Sequence, residues 1–190
     1  MKALQEKILK EGKVLPGNVL KVSHFLNHQL DVDFLMEMGK EIAARFEGAG
    51  VNKILTIEAS GIALAVATAA HMHVPVLFAK KSASSNMSSG KLVTQVASYT
   101  HHKVYNVVVS SDLLTEKDRV LIIDDFLACG NAVVGLIDLV HQAHAEVVGV
   151  SAAIEKGYQG GGDKLREENI RVESLAIIEE LSEQGIRFRN

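Results

Sequence analysis

Val120-Leu121-Ile122-Ile123 is apolar at every position and runs straight into Asp124-Asp125 and a stretch of small residues. A strand with one wet face alternates apolar and polar residues, because successive side chains point to opposite sides. A run that is apolar on both sides must be covered on both sides, as in a central strand of a parallel sheet held between helices. Val147-Val148-Gly149-Val150 has the same character. Further short apolar runs at residues 53–58, 75–79, 93–98, 104–110 and 171–177 are separated by stretches of helical periodicity such as 62–71 and 133–143. Strands alternating with helices predict an α/β fold with a mainly parallel central sheet flanked by helices. The runs at 93–98 and 104–110, joined by a short polar turn, are expected instead to form an antiparallel hairpin on or beside that sheet.

Before the first sheet strand, residues 2–11 read as a short helix stopped by Gly12, and residues 14–22 as extended chain broken by Pro16-Gly17. A longer helix follows, capped by Asp31 or Asp33, carrying Phe34, Leu35, Met38, Ile42 and Phe46 at helical spacing and ending at Gly48 or Gly50. The 190 residues suit one domain, with no repeat or interdomain linker. Hydrophobic residues make up 47% of the chain, yet no unbroken run approaches the ~18 positions of a membrane span. The first residues do not read as a signal peptide, and the single cysteine, Cys129, agrees with a reducing compartment. A net charge of -3 argues against a general nucleic-acid binder. The expectation is a cytoplasmic protein without a membrane or nucleic-acid partner.

Ligands of open parallel sheets bind beyond the carboxyl ends of the strands, which directs attention to Asp124-Asp125-Phe126-Leu127-Ala128-Cys129-Gly130-Asn131-Ala132 and the helix after it. Free N–H groups at the turn, together with the positive end of the helix dipole, make an anion site that needs no basic side chain. Gly130 permits close backbone approach, and Ala128 and Ala132 leave room for phosphate oxygens. Asp124 and Asp125 fit two readings equally. They accept hydrogen bonds from a ribose diol and stabilise positive charge at its anomeric carbon, or they simply end a strand and cap a turn.

This segment resembles the phosphoribosyl pyrophosphate (PRPP) signature of the type I phosphoribosyltransferase family: hydrophobic strand, acidic pair, two apolar or variable residues, then a small, glycine-containing loop. The likeness favours the ribose reading and implies the type I phosphoribosyltransferase fold, with a flexible loop or hairpin and a small base-binding hood built from about residues 1–30 and the C-terminal part. Cys129, Asn131 and Ala132 stand where Thr or Ser, Gly and Thr are frequent in the family, so phosphate contacts are expected from backbone N–H groups. Cys129 is read as a small turn residue, since no base is evident near it and family chemistry needs no covalent enzyme intermediate.

The resemblance extends to other segments. Ile57-Glu58-Ala59-Ser60-Gly61 is similar to the family's pyrophosphate loop, which assigns Ala59 and Ser60 to pyrophosphate; its residues alone would favour a tight strand-to-helix turn. Lys80 and Lys81 precede a Ser-rich stretch at 82–90 that corresponds to a closing lid, and Lys81 is the candidate pyrophosphate contact. Tyr99, Thr100 and His101 fall in its returning arm. Lys156 is implied to recognise the 6-oxygen of an oxopurine, Tyr158 to stack on the base, Leu20 to give apolar and backbone contact, and Asn27 to read the 2-oxo edge.

The implied reaction moves 5-phosphoribose from PRPP to N9 of xanthine, with purine nucleotides as product or inhibitor and a homodimer as the assembly. Mg²⁺ would travel with the pyrophosphate, without a dedicated protein site. The eight histidines lack the companions of a zinc pattern. Another purine as substrate, or a purine-responsive regulator on the same fold, is the alternative. A regulator would need a DNA-binding domain, and the ~50 residues before the sheet carry no basic helix-turn-helix pattern.

Overall fold

The structure is a computed structural model and describes residues 1–82, 90–97, 104–182 and 184–189. The parts of the Ser-rich stretch at 83–89, and Tyr99, Thr100 and His101, lie outside the described residues.

Helix α1 (Lys2–Glu11) stops at Gly12 and leads into a hairpin of β1 (Lys13–Leu15) and β2 (Val19–Lys21), turned by Gly17 and Asn18 at positive φ. A π-helical turn (Ser23–Asn27) precedes α2 (Val32–Arg45), whose N-cap is Asp31, its carboxylate accepting the Phe34 N–H at 3.2 Å. Phe46 caps the far end of α2 from just outside the helix. The chain then alternates as the apolar runs predict: β3 (Lys53–Ile57), α3 (Gly61–Met72), β4 (Val76–Ser82), the hairpin strands β5 (Lys91–Ala97) and β6 (Val104–Ser110), β7 (Arg119–Leu127), α4 (Asn131–Gln142), β8 (Glu146–Lys156), α5 (Gly161–Glu167), β9 (Val172–Ser182) and β10 (Gly185–Phe188).

The eight-stranded sheet has the order β10-β9-β8-β7-β3-β4-β6-β5. Its five central strands, β9 to β4, are parallel; β10 at one edge and the β5–β6 hairpin at the other are antiparallel. Alternation along β7 explains why Val120 to Ile123 are all apolar. Leu121 and Ile123 enter one core with α1, α2 and α3, whereas Val120 and Ile122 enter a second with α4 and Leu165 of α5. The chain leaves β3 for β4 on one side and later places β7 on the other. The two loops that leave the carboxyl ends of β3 and β7 therefore diverge, and a crevice opens between them.

Two expectations need correction. The acidic pair does not follow its strand but lies inside it, because β7 and β8 stay paired through Asp124↔Ala152, Phe126↔Ile154 and Leu127↔Glu155. Apolar Phe126 and Leu127 prolong the ladder past the carboxylates. In the C-terminal part, β9 outlasts the predicted run by five residues, ending at Ser182 rather than Ile177, since β10 folds back and pairs with it.

Candidate active site

Asp124 and Asp125 are both buried at the carboxyl end of β7. Asp124 lies against the start of α3, where a Cβ on Gly61 would stand 3.1 Å from Asp124 Oδ1 and 2.4 Å from Thr56 Oγ1. Only a residue without a side chain brings the helix this close. Asp124 Oδ1 accepts the Asp125 N–H at 2.9 Å. Burial first, and then the charge of Asp125, push the Asp124 carboxyl well above the usual carboxylate range, while Lys81 opposes the shift. Asp125 Oδ2 accepts a hydrogen bond from the Asn27 side-chain amide at 2.5 Å, so the N-terminal π turn reaches the acidic pair across 98 residues of sequence.

The loop after β7 delivers a helix N-terminus. Gly130 has φ 86°, a left-handed conformation that an L side chain resists, and it turns the chain into α4. The first helical bond runs from Val134 N–H to the Gly130 carbonyl at 2.9 Å, which leaves the amides of Asn131, Ala132 and Val133 at the open end. The polar side chains of the loop are engaged elsewhere: Asn131 donates to the Ala97 carbonyl at 3.0 Å, and Cys129 Sγ donates to Gln159 Oε1 at 3.4 Å. An anion here meets main-chain N–H groups and a helix dipole. Ala128, Cys129, Gly130, Asn131 and Ala132 line a cavity of about 380 Å³ together with Phe126 and Lys81.

Lys81, near the end of β4, donates its backbone N–H to Glu58 Oε1 at 2.6 Å, tying that strand to the loop after β3. Ala59 is exposed in this loop, and Ser60 sits at the N-cap of α3 with no side-chain capping bond. The structure thus brings Lys81 and residues 128–132 to one cavity and places Ala59 and Ser60 at the neighbouring strand end.

Lys156 ends β8 half-buried, with its ammonium 5.5 Å from the centre of the Phe126 ring and burial lowering its pKa. Tyr158 follows in a short turn, its hydroxyl donating to the Asn18 carbonyl at 3.4 Å. Leu20 is buried, so its side chain belongs to the core and its backbone is the part left to face a ligand. These contacts set Asn27 beside Asp125 and Lys156 beside Phe126, while Tyr158 ties the end of β8 to the β1–β2 turn. Phe126 itself was not singled out from the sequence, although an aromatic between an acidic pair and a small-residue loop is a visible signal. Gly160, Gly161 and Gly162 were missed too. The signal was a triple glycine beginning four residues past Lys156, and Gly161 N–H donates to the Ala128 carbonyl at 3.1 Å, directly behind the anion loop.

Among the described residues no three His, Cys, Asp or Glu side chains converge in a way that could hold a metal ion, and no helix of the described chain is long and apolar enough to cross a membrane. Chemically, the arrangement offers two carboxylates for a diol and a developing cation, a backbone anion cradle, and one lysine on each side.

Residues 28–181 match the family described as phosphoribosyl transferase domain. The chain is 55% identical over 190 residues, the full length of both, to xanthine phosphoribosyltransferase 1 of Clostridium perfringens strain 13. It is 52% identical over 193 residues, again covering both chains fully, to xanthine phosphoribosyltransferase of Bifidobacterium adolescentis. Among solved structures it resembles the adenine phosphoribosyltransferase of Trypanosoma brucei in complex with AMP, pyrophosphate and ribose-5-phosphate, with a TM-score of 0.76 at 18% identity, covering 95% of this chain and 82% of that one. This last likeness is one of fold.

Proposed function

Since the chain belongs to the phosphoribosyl transferase family, we propose that it acts in purine salvage, transferring 5-phosphoribose from PRPP to N9 of xanthine and giving xanthosine 5′-monophosphate and pyrophosphate. The observation that carries the reading is the unbroken passage from a buried acidic pair in β7 to the open N-terminus of α4, facing Lys81 across one cavity. Xanthine as the base is supported by full-length identity of about half to relatives bearing that name.

In this reading the amides of residues 128–132 hold the 5-phosphate, and Asp124 and Asp125 address the ribose hydroxyls. The C1′–O bond to pyrophosphate breaks as the bond from N9 forms, pyrophosphate leaves with the electron pair, and the ring proton of the base passes to the departing pyrophosphate oxygen or to solvent. Asp125 stands closest in kind to the positive charge that grows at C1′, and fixed charges are effective there because they need no reorganisation. Asp124, biased towards its protonated form, can donate as well as accept towards a ribose oxygen. Ala59, Ser60 and Lys81 receive the pyrophosphate, and Lys156 donates to the 6-oxygen. Asn27 reads the opposite edge, Tyr158 packs on the ring and Leu20 contributes its backbone. Phosphoribosyltransferases of this type use Mg²⁺ with PRPP, and here it enters as part of that substrate. The same proposal places the protein in the cytoplasm as a one-domain homodimer, inhibited by purine nucleotides that occupy residues 128–132; sedimentation and competition assays test those parts.

A product assay with PRPP, Mg²⁺ and each purine separately tests the whole. Xanthine is expected to give the highest kcat/KM. Failure to release pyrophosphate with any of the bases would overturn the enzyme reading, and a preference for adenine, guanine or hypoxanthine would overturn the substrate.

A further inference from the structure

Glu155 has no part in the reaction derived above, yet it is a carboxylate with no exposure at all, one residue before Lys156. Both of its oxygens are taken by the guanidinium of Arg166, in a fork at 2.8 Å each, and the Ser174 hydroxyl also donates to Oε2. Arg166 belongs to α5 and is itself held by Asp163, which in turn receives Arg189 at 2.7 and 3.0 Å. A buried ion pair is a weak source of net stability, because desolvation offsets most of the attraction, whereas its fork geometry is exacting. What the fork fixes is visible in the glycines at the start of α5. A Cβ on Gly162 would lie 2.1 Å from Glu155 Oε1, and one on Gly161 would lie 2.2 Å from the Ala128 carbonyl oxygen and 2.5 Å from the Cys129 carbonyl carbon. The start of α5 is wedged between the Glu155 carboxylate and the backbone of the anion loop, and Gly161 N–H bonds that loop directly.

We propose that Glu155 and Arg166 are positioning residues that set the 128–132 loop through Gly161 and Gly162, and Lys156 through the adjacent strand end, so that the phosphate and base ends of the site are aligned by one clamp with a buried carboxylate and a partly exposed guanidinium. The inference rests on reading residues 128–132 as the phosphate loop. Its consequence is that loosening the fork weakens both substrates together while the chemistry of the bound complex survives.

The test compares the full chain with Arg166→Lys, which keeps the charge but loses the fork, and with Glu155→Gln, against Lys53→Met as a comparator. Lys53 pairs with Asp118 at 2.8 Å at the opposite end of the sheet. Arg166→Lys and Glu155→Gln are expected to raise KM for PRPP and for xanthine about tenfold each, equivalent to ~1.4 kcal/mol, with kcat little changed. Amide hydrogen exchange within 128–132 should quicken in both. Lys53→Met should lower the melting temperature without moving either KM or that exchange. Folded clamp variants with unchanged KM values and exchange would overturn the proposal. If Glu155→Gln does not fold, Arg166→Lys and the double variant Glu155→Gln/Arg166→Gln decide, and failure of all three to fold would assign the pair to stability alone. Absence of turnover by the unsubstituted chain with every base would remove the phosphoribosyltransferase reading and this one with it, whereas normal turnover with unmoved variants removes only the clamp.

Discussion

Asp124 is buried near the carboxyl end of β7 beside a second carboxylate, Asp125. Burial and the neighbouring Asp125 make its ionised form unfavourable, so the folded protein keeps this proton to higher pH than the unfolded chain does. Above the ordinary carboxylate value of 3.8, the folded state therefore binds more protons than the unfolded state, and stability falls as pH rises through the window up to the elevated folded value. Asp124→Asn removes that cost while keeping the shape. The variant should melt above the parent at neutral pH, the gap closing as pH falls below 3.8 and both states of the parent become protonated. Turnover should move the other way, dropping roughly 10²–10³-fold, the usual scale for one positioned electrostatic group. An unchanged or lower melting temperature at pH 7 would show that the carboxylate is stabilised in the fold after all. Lys156 makes a cleaner case, since its ammonium stands over the face of Phe126. A hydrogen bond from a charged donor contributes about 1.5–3 kcal/mol, so Lys156→Met should lower kcat/KM for xanthine roughly 10- to 100-fold. Steady-state assays in which kcat/KM for xanthine shifts less than twofold would place the 6-oxygen elsewhere.

At the level of elements, the passage from β7 to α4 turns on Gly130. Its φ of 86° is a conformation that costs an L residue roughly 1–2 kcal/mol. Gly130→Ala should lower the denaturation midpoint correspondingly and, by tilting the first amides of α4, raise the calorimetric dissociation constant for PRPP. Loss of stability with intact PRPP affinity would mean that the helix start tolerates the tilt. This element was legible in the sequence because strand, carboxylates, glycine and helix are consecutive, and the covered faces of β7 followed from its apolar residues alone. Local sequence could not show that the ladder continues through Asp124 and Asp125. The pairing is decided by β8, whose Ala152 and Ile154 lie 28 residues further on in the chain. Asn27 shows the same boundary from the other side. Its residue type suited a base reader, but nothing near it in sequence announces the hydrogen bond to Asp125, which exists only once α1, the β1–β2 hairpin and the sheet are assembled. For Glu155, too, the partners come from elsewhere in the chain: α5 supplies Arg166 and β9 supplies Ser174.

Across the whole molecule, the site is assembled from the sheet and from an N-terminal cover, and the cover has its own fastening. Lys7 of α1 donates to Asp31 at 2.7 Å and Glu11 at 3.2 Å, and its ammonium stands 5.5 Å from the Phe25 ring centre and 5.0 Å from that of Phe34. Phe25 and Phe34 meet edge to face, with centroids 6.3 Å apart, and Phe25 lies in the same π turn as Asn27. Lys7 therefore joins α1, the π turn and the cap of α2 at one point. Its effect should reach the substrates unequally. In the proposed reading the 5-phosphate is held by the loop between β7 and α4, which Lys7 does not touch, whereas the base lies against Asn27. Lys7→Met keeps the aliphatic stem and removes the charge, and the two ring contacts it loses are worth about 1 kcal/mol together at a partly exposed site. The expected result is a rise of roughly fivefold in KM for xanthine, by the same arithmetic, with KM for PRPP nearly unchanged. Equal rises in both constants would mean that the cover and the phosphate loop move as one body, and the base would then owe its affinity to the sheet rather than to the N-terminal segment.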